Sequence, residues 1–66
     1  MENVRIKSQV EGQNIILVEY IYTLDGTEYS IYKCELTGKK PSYIWDQHEV
    51  HTLAMAIELI ELNSVK

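Results

Sequence analysis

The sequence predicts an α+β domain, a three-stranded antiparallel meander followed by one C-terminal helix (βββα). Three observations lead there. Residues 15–22 read Ile-Ile-Leu-Val-Glu-Tyr-Ile-Tyr, a run too short to span a membrane and too rich in β-branched and aromatic residues for a helix. Two glycine-containing breaks, Gly12-Gln13 and Asp25-Gly26, bracket that run at hairpin spacing. Beyond Pro41 the apolar period lengthens to that of a helix, through Val50, Leu53, Ala56, Ile57 and Ile60.

Each element follows in order. Val4, Ile6, Ser8 and Val10 alternate with Asn3, Arg5, Lys7 and Gln9, which predicts a half-buried strand over about residues 3–10. Gly12-Gln13 fits a two-residue loop with glycine in its first central position. The central strand spans about residues 15–23, and Asp25-Gly26 turns it into a third strand over about 28–36. Gly38-Lys39-Lys40-Pro41-Ser42 breaks the pattern as a surface loop. Asp46 and Glu49 have capping-box spacing, which starts a helix over about 47–62, with Trp45 as a staple against Val50.

Composition bounds the setting. The 66 residues make one domain, 1–66, of a size whose core is marginal without a staple or a partner. The one cysteine, Cys34, excludes an internal disulfide framework, and no Cys and His cluster has the spacing of structural zinc. A cytoplasmic protein is expected, since Met1–Lys7 lacks the apolar core of a signal peptide and no later run spans a bilayer. Ten acidic against six basic residues give a net charge of −4, which opposes general coating of DNA.

The two turns set the register, and register sets the faces. Pairing across Asp25-Gly26 places Tyr22 opposite Tyr29, Tyr20 opposite Ile31 and Val18 opposite Lys33. Pairing across Gly12-Gln13 places Val10 opposite Ile15 and Ser8 opposite Leu17. One face then gathers Val4, Ile6, Val10, Ile15, Leu17, Ile21, Tyr32, Cys34 and Leu36 as the core, with Glu19 among them. The opposite face gathers Ile16, Val18, Tyr20, Tyr22, Tyr29 and Ile31, bordered by Arg5, Lys7, Lys33 and Glu35. One helix covers only one face of such a sheet, so this second face is expected to meet a partner. Met55, Leu59 and Leu62 fall outside the helix's packing stripe and form a second apolar patch.

Candidates for chemistry are few. His48-Glu49-Val50-His51 is one residue short of the His-Glu-x-x-His zinc helix, and no third ligand is fixed nearby. Cys34 points into the predicted core, where a thiol is packing rather than a nucleophile. Lys39-Lys40 lacks the glycine frame that cradles phosphate. Neither catalysis nor a cofactor or metal is expected. The tyrosine face admits two occupants. A protein surface, a second copy among them, suits its rings. Alternatively, Tyr20, Tyr22 and Tyr29 stack single-stranded bases while Arg5, Lys7 and Lys33 hold phosphates.

Two stretches resemble known families. Residues Gly38-Lys39-Lys40-Pro41-Ser42-Tyr43-Ile44-Trp45-Asp46, followed by Ala56-Ile57-Glu58-Leu59-Ile60-Glu61-Leu62, resemble the end of the small uncharacterised YkuJ-like proteins of Firmicutes. That resemblance implies a sheet hairpin leading into an apolar, glutamate-containing helix. Asp25-Gly26-Thr27-Glu28-Tyr29, with Tyr32 three residues on, is similar to the hairpin of small phage inhibitors of uracil-DNA glycosylase. Those are short, acidic and dimeric, which implies a compact protein-binding inhibitor or regulator. The expectation is therefore a non-enzymatic protein-binding module, itself a homodimer, with no membrane attachment.

Overall fold

The computed structural model describes residues 3–64 and holds one five-stranded antiparallel sheet with one helix. The strands are β1 (Val4–Glu11), β2 (Ile15–Leu24), β3 (Thr27–Leu36), β4 (Ser42–Trp45) and β5 (His48–Val50), followed by α1 (Leu53–Ser64). Strand order in space follows order in sequence, β1-β2-β3-β4-β5. The α+β class and the C-terminal helix are as expected, but the sheet has five strands rather than three.

Of the two extra strands, β4 forms from the end of the expected loop and the expected staple, and β5 replaces the first turn of the expected helix. Asp46 does not cap a helix. With Gln47 it forms a tight turn in which both residues take positive φ, 48° and 70°, and Trp45 pairs with His48 across it. That is the backbone of a two-residue hairpin, whose right-handed twist needs positive φ at both central positions. The helix starts six residues later than expected. Its cap is Thr52, whose Oγ1 accepts a 3.1 Å hydrogen bond from the Met55 amide, which satisfies one of the orphan donors of the first turn.

The central hairpin follows its turn. Asp25 and Gly26 have φ of 52° and 79°, and Leu24 pairs with Thr27. Tyr22 consequently faces Tyr29, Tyr20 faces Ile31 and Val18 faces Lys33. The first hairpin differs in two ways. Its connection holds three residues, Gly12 to Asn14, closed by a Gly12 amide to Ile15 carbonyl bond of 2.7 Å, so Val10 pairs with Leu17 rather than Ile15. A bulge at Lys7 then breaks the alternation between Ile6 and Ser8. One extra residue exchanges the faces of everything before it. Val4 and Ile6 therefore stand beside Tyr22 and Tyr20, whereas Ser8 and Val10 stand beside Glu19 and Leu17.

The helix packs on the face opposite to the expected one. Its buried side chains, Ala56, Ile57 and Ile60, join Tyr22 and Ile31 in a single cluster, and Val4, Tyr20, Leu24, Tyr29, Tyr43, Trp45, Val50 and Leu53 pack around it. The cause lies in β4 and β5. They add Tyr43, Trp45 and Val50 to the tyrosine side, and only two residues separate β5 from the helix, so α1 settles against those strands. Aromatic rings bury more area each than the aliphatic chains of the other side, and they make the deeper bed.

Candidate interaction surface

The residues first expected to meet a partner are largely the core. Val18, Tyr22 and Ile31 are 5%, 5% and 0% exposed. Tyr20 and Tyr29 are half-buried against the helix cluster, Tyr20 tilted on Tyr43 with centroids 6.3 Å apart and Tyr29 edge-on to Trp45 at the same distance. Ile16, half-buried, lies on the same side but outside that cluster. A tyrosine ring fills the core if its hydroxyl finds a partner. Tyr22 does so by donating a 2.9 Å bond to Glu61 Oε2 on the helix. That bond, burial and the Glu61 and Asp25 charges all raise the Tyr22 pKa above its usual 10.0.

The expected basic border is paired off. Arg5 binds Glu28 at 3.0 Å, Lys7 lies 3.7 Å from Glu19, and Lys33 lies 3.4 Å from Glu35. Arg5 and Lys7 stand on the face without the helix, beside Ile21 and Glu19, and only Lys33 remains on the tyrosine side, over the Tyr43 ring. Partial burial opposes the Lys33 charge, but Tyr43, Glu35 and Tyr20 outweigh it and hold its pKa above 10.5. Stacking platforms and free cations are therefore not displayed together. On the helix, Met55 and Leu62 are exposed and Leu59 is half-buried, flanked by Glu58 and Glu61.

Four residues first assigned to the core are exposed on the helix-free face, with Ile44 of β4 beside them, whereas Ile6, 57% exposed, stands on the helix side next to Tyr20. Val10 is 62% exposed, Tyr32 51%, Leu17 45%, Leu36 41% and Ile44 38%. Register makes them neighbours. Val10 pairs with Leu17, Leu17 with Cys34, Ile15 with Leu36, and Tyr32 with Ile44, so the patch crosses four strands on one side. A groove of about 210 Å³ runs through it between Ser8, Val10, Leu17, Glu19 and Tyr32. Cys34 sits half-buried inside this patch rather than in the core. Only Ile21 on this face is buried, and it lies in register with Arg5, whose ion pair with Glu28 spans β2.

The histidines do not converge. His48 belongs to β5 and stacks on Trp45, with centroids 6.1 Å apart and planes 20° apart, while His51 precedes the helix. Among the described residues no three His, Cys, Asp or Glu side chains are grouped to hold a metal ion, and no helix is long and apolar enough to cross a membrane. The fold and its surface together define a small α+β domain with one apolar sheet face left open. No protein-family model matches the chain, and neither a characterised protein nor a solved structure shows significant similarity to it.

Proposed function

We propose that this chain is a non-enzymatic protein-binding module whose contact surface is the helix-free face of the sheet. The observation that carries the reading is the patch Val10, Leu17, Tyr32, Leu36 and Ile44, five large apolar side chains contiguous by register and each more than a third exposed. Contiguous exposed apolar surface of this kind marks interaction sites, because leaving it in water forgoes the burial that drives association. A groove bounded by Tyr32 and a half-buried Glu19 adds shape and a polar contact to it. The likeness of the Asp25–Tyr29 hairpin to small phage inhibitors supports the finer reading of an inhibitor or regulator that works by occupying a protein target.

Photo-crosslinking tests this reading in the cell that makes the protein. A benzophenone side chain at position 17 should give a discrete protein adduct, and the same group at Glu58, exposed on the helix, should give none. Absence of an adduct at position 17, or equal labelling from both positions, would contradict it.

A further inference from the structure

We propose that the end of the sheet beside the β3–β4 loop binds a small phosphate monoester whose organic part is apolar. The site meets the protein-contact face only at its margin, through Leu36, and stands whether or not that face has a partner. Register builds its floor. Ile15 pairs with Leu36 and Ile16 with Glu35 where β2 begins and β3 ends, which places three apolar side chains at that end of the sheet. Residues 37–40 complete the lining of a cavity of about 320 Å³. Small-ligand sites begin at about this size, ~300 Å³.

The loop that forms the wall is held by its backbone. The Thr37 amide donates to the Asn14 carbonyl at 3.0 Å, which ties the loop to the β1–β2 connection. The Lys39 amide donates to the Leu36 carbonyl at 3.0 Å, and Gly38 supplies the positive φ, 81°, that this tight turn needs. Pro41 follows Lys40 and confines the Lys40 backbone to extended conformations. The cavity is thus shaped before a ligand arrives.

Charge selects the ligand. Arg5, Lys7 and Lys33 each sit against a carboxylate, whereas Lys39 and Lys40 form no ion pair among the described residues. Both lysines line the cavity. Glu35, the one acid in the lining, is engaged by Lys33 at 3.4 Å. In a chain of net charge −4, two adjacent unpaired ammoniums at a concave site mark where an anion is favoured. The lysines are exposed, while Ile15 and Ile16 beneath them are half-buried. A ligand that satisfies both keeps its charge at the rim and lays an apolar part on the floor. A phosphate monoester carries about −1.5 to −2 at neutral pH, which matches two lysines better than the single charge of a carboxylate. Recognition is by side-chain charge above an apolar floor, not by a glycine loop.

Amide chemical shifts of the full chain, titrated with phenyl phosphate, test the proposal. They should saturate and centre on Ile15, Leu36 and residues 37–40. Lys39→Glu and Lys40→Glu should each weaken binding by about fivefold or more, because each turns an exposed attraction into a repulsion. Both side chains are exposed in a loop, so circular dichroism should not change. Inorganic phosphate, which covers none of the floor, should bind more weakly by about tenfold or more, and benzylammonium should not bind. Absence of saturable shifts at millimolar phenyl phosphate would overturn the proposal. Shifts centred on Val10, Leu17 and Tyr32 would also overturn it, since they report adsorption to the open apolar face. Equal binding by benzylammonium, by inorganic phosphate or by the two lysine variants has the same consequence.

Discussion

Gln47 is the residue where local chemistry and fold disagree most. Its φ of 70° lies in the left-handed region, which costs a residue with a Cβ about 1–2 kcal/mol. Asp46 tolerates its own positive φ better, because short polar side chains bond locally there. Gln47→Gly should therefore stabilise the domain by about 1 kcal/mol in urea denaturation, part of the relief being offset by the entropy of glycine. A fall in stability would show that the Gln47 side chain contributes more than its backbone costs. The same residue explains why the β4–β5 turn was illegible in the sequence. Asp25-Gly26 advertises a hairpin through its glycine, but Asp46-Gln47 carries no such signal. Asp46 with Glu49 reads equally well as the start of a helix.

At the scale of elements, the β2–β3 hairpin was fully legible, register included, because a two-residue turn leaves no freedom in pairing. The β1–β2 hairpin was legible only as a pair of strands. Its longer connection moved Val10 by two residues, and the bulge at Lys7 refaced Val4 and Ile6 with no compositional trace. That bulge has a structural consequence, since β1 is an edge, and a bulge with Arg5 and Lys7 on it discourages a further strand from pairing there. The helix is tied to the sheet at Tyr22 and Glu61. Because folding raises the Tyr22 pKa, its contribution to stability is complete below the unfolded value of 10.0 and fades as pH rises through the folded value. Lys33, also raised, acts in the same direction. Thermal unfolding should thus show a loss of stability in alkali that is shallower in Tyr22→Phe. An identical alkaline slope in the two proteins would remove Tyr22 from the account.

At the scale of the whole molecule, the side of the sheet that the helix takes decides which residues are core and which are surface. The alternation of apolar residues along β2 was visible in the sequence and correctly divided Leu17 and Ile21 from Val18, Tyr20 and Tyr22. The choice between those two sets was not visible. It depends on Tyr43, Trp45 and Val50, which join the tyrosine side only once β4 and β5 exist. Tyr20, Tyr22 and Tyr29 were read as contact residues, but here their rings build the core, with the Tyr22 hydroxyl answered by the helix. A domain this small has only about 3–5 kcal/mol of stability from a single core, so one buried charge on the helix side should be decisive.

Two adjacent residues of β2 provide the most direct measurement. Urea denaturation of Val18→Glu and Leu17→Glu, at low protein concentration, compares the same substitution on opposite faces of one strand. Val18 is 5% exposed and Leu17 45%. Val18→Glu should be unfolded without denaturant, whereas Leu17→Glu should stay folded within about 1 kcal/mol of the wild type. A folded Val18→Glu beside an unfolded Leu17→Glu would place the helix on the other face and contradict the assignment of the open surface.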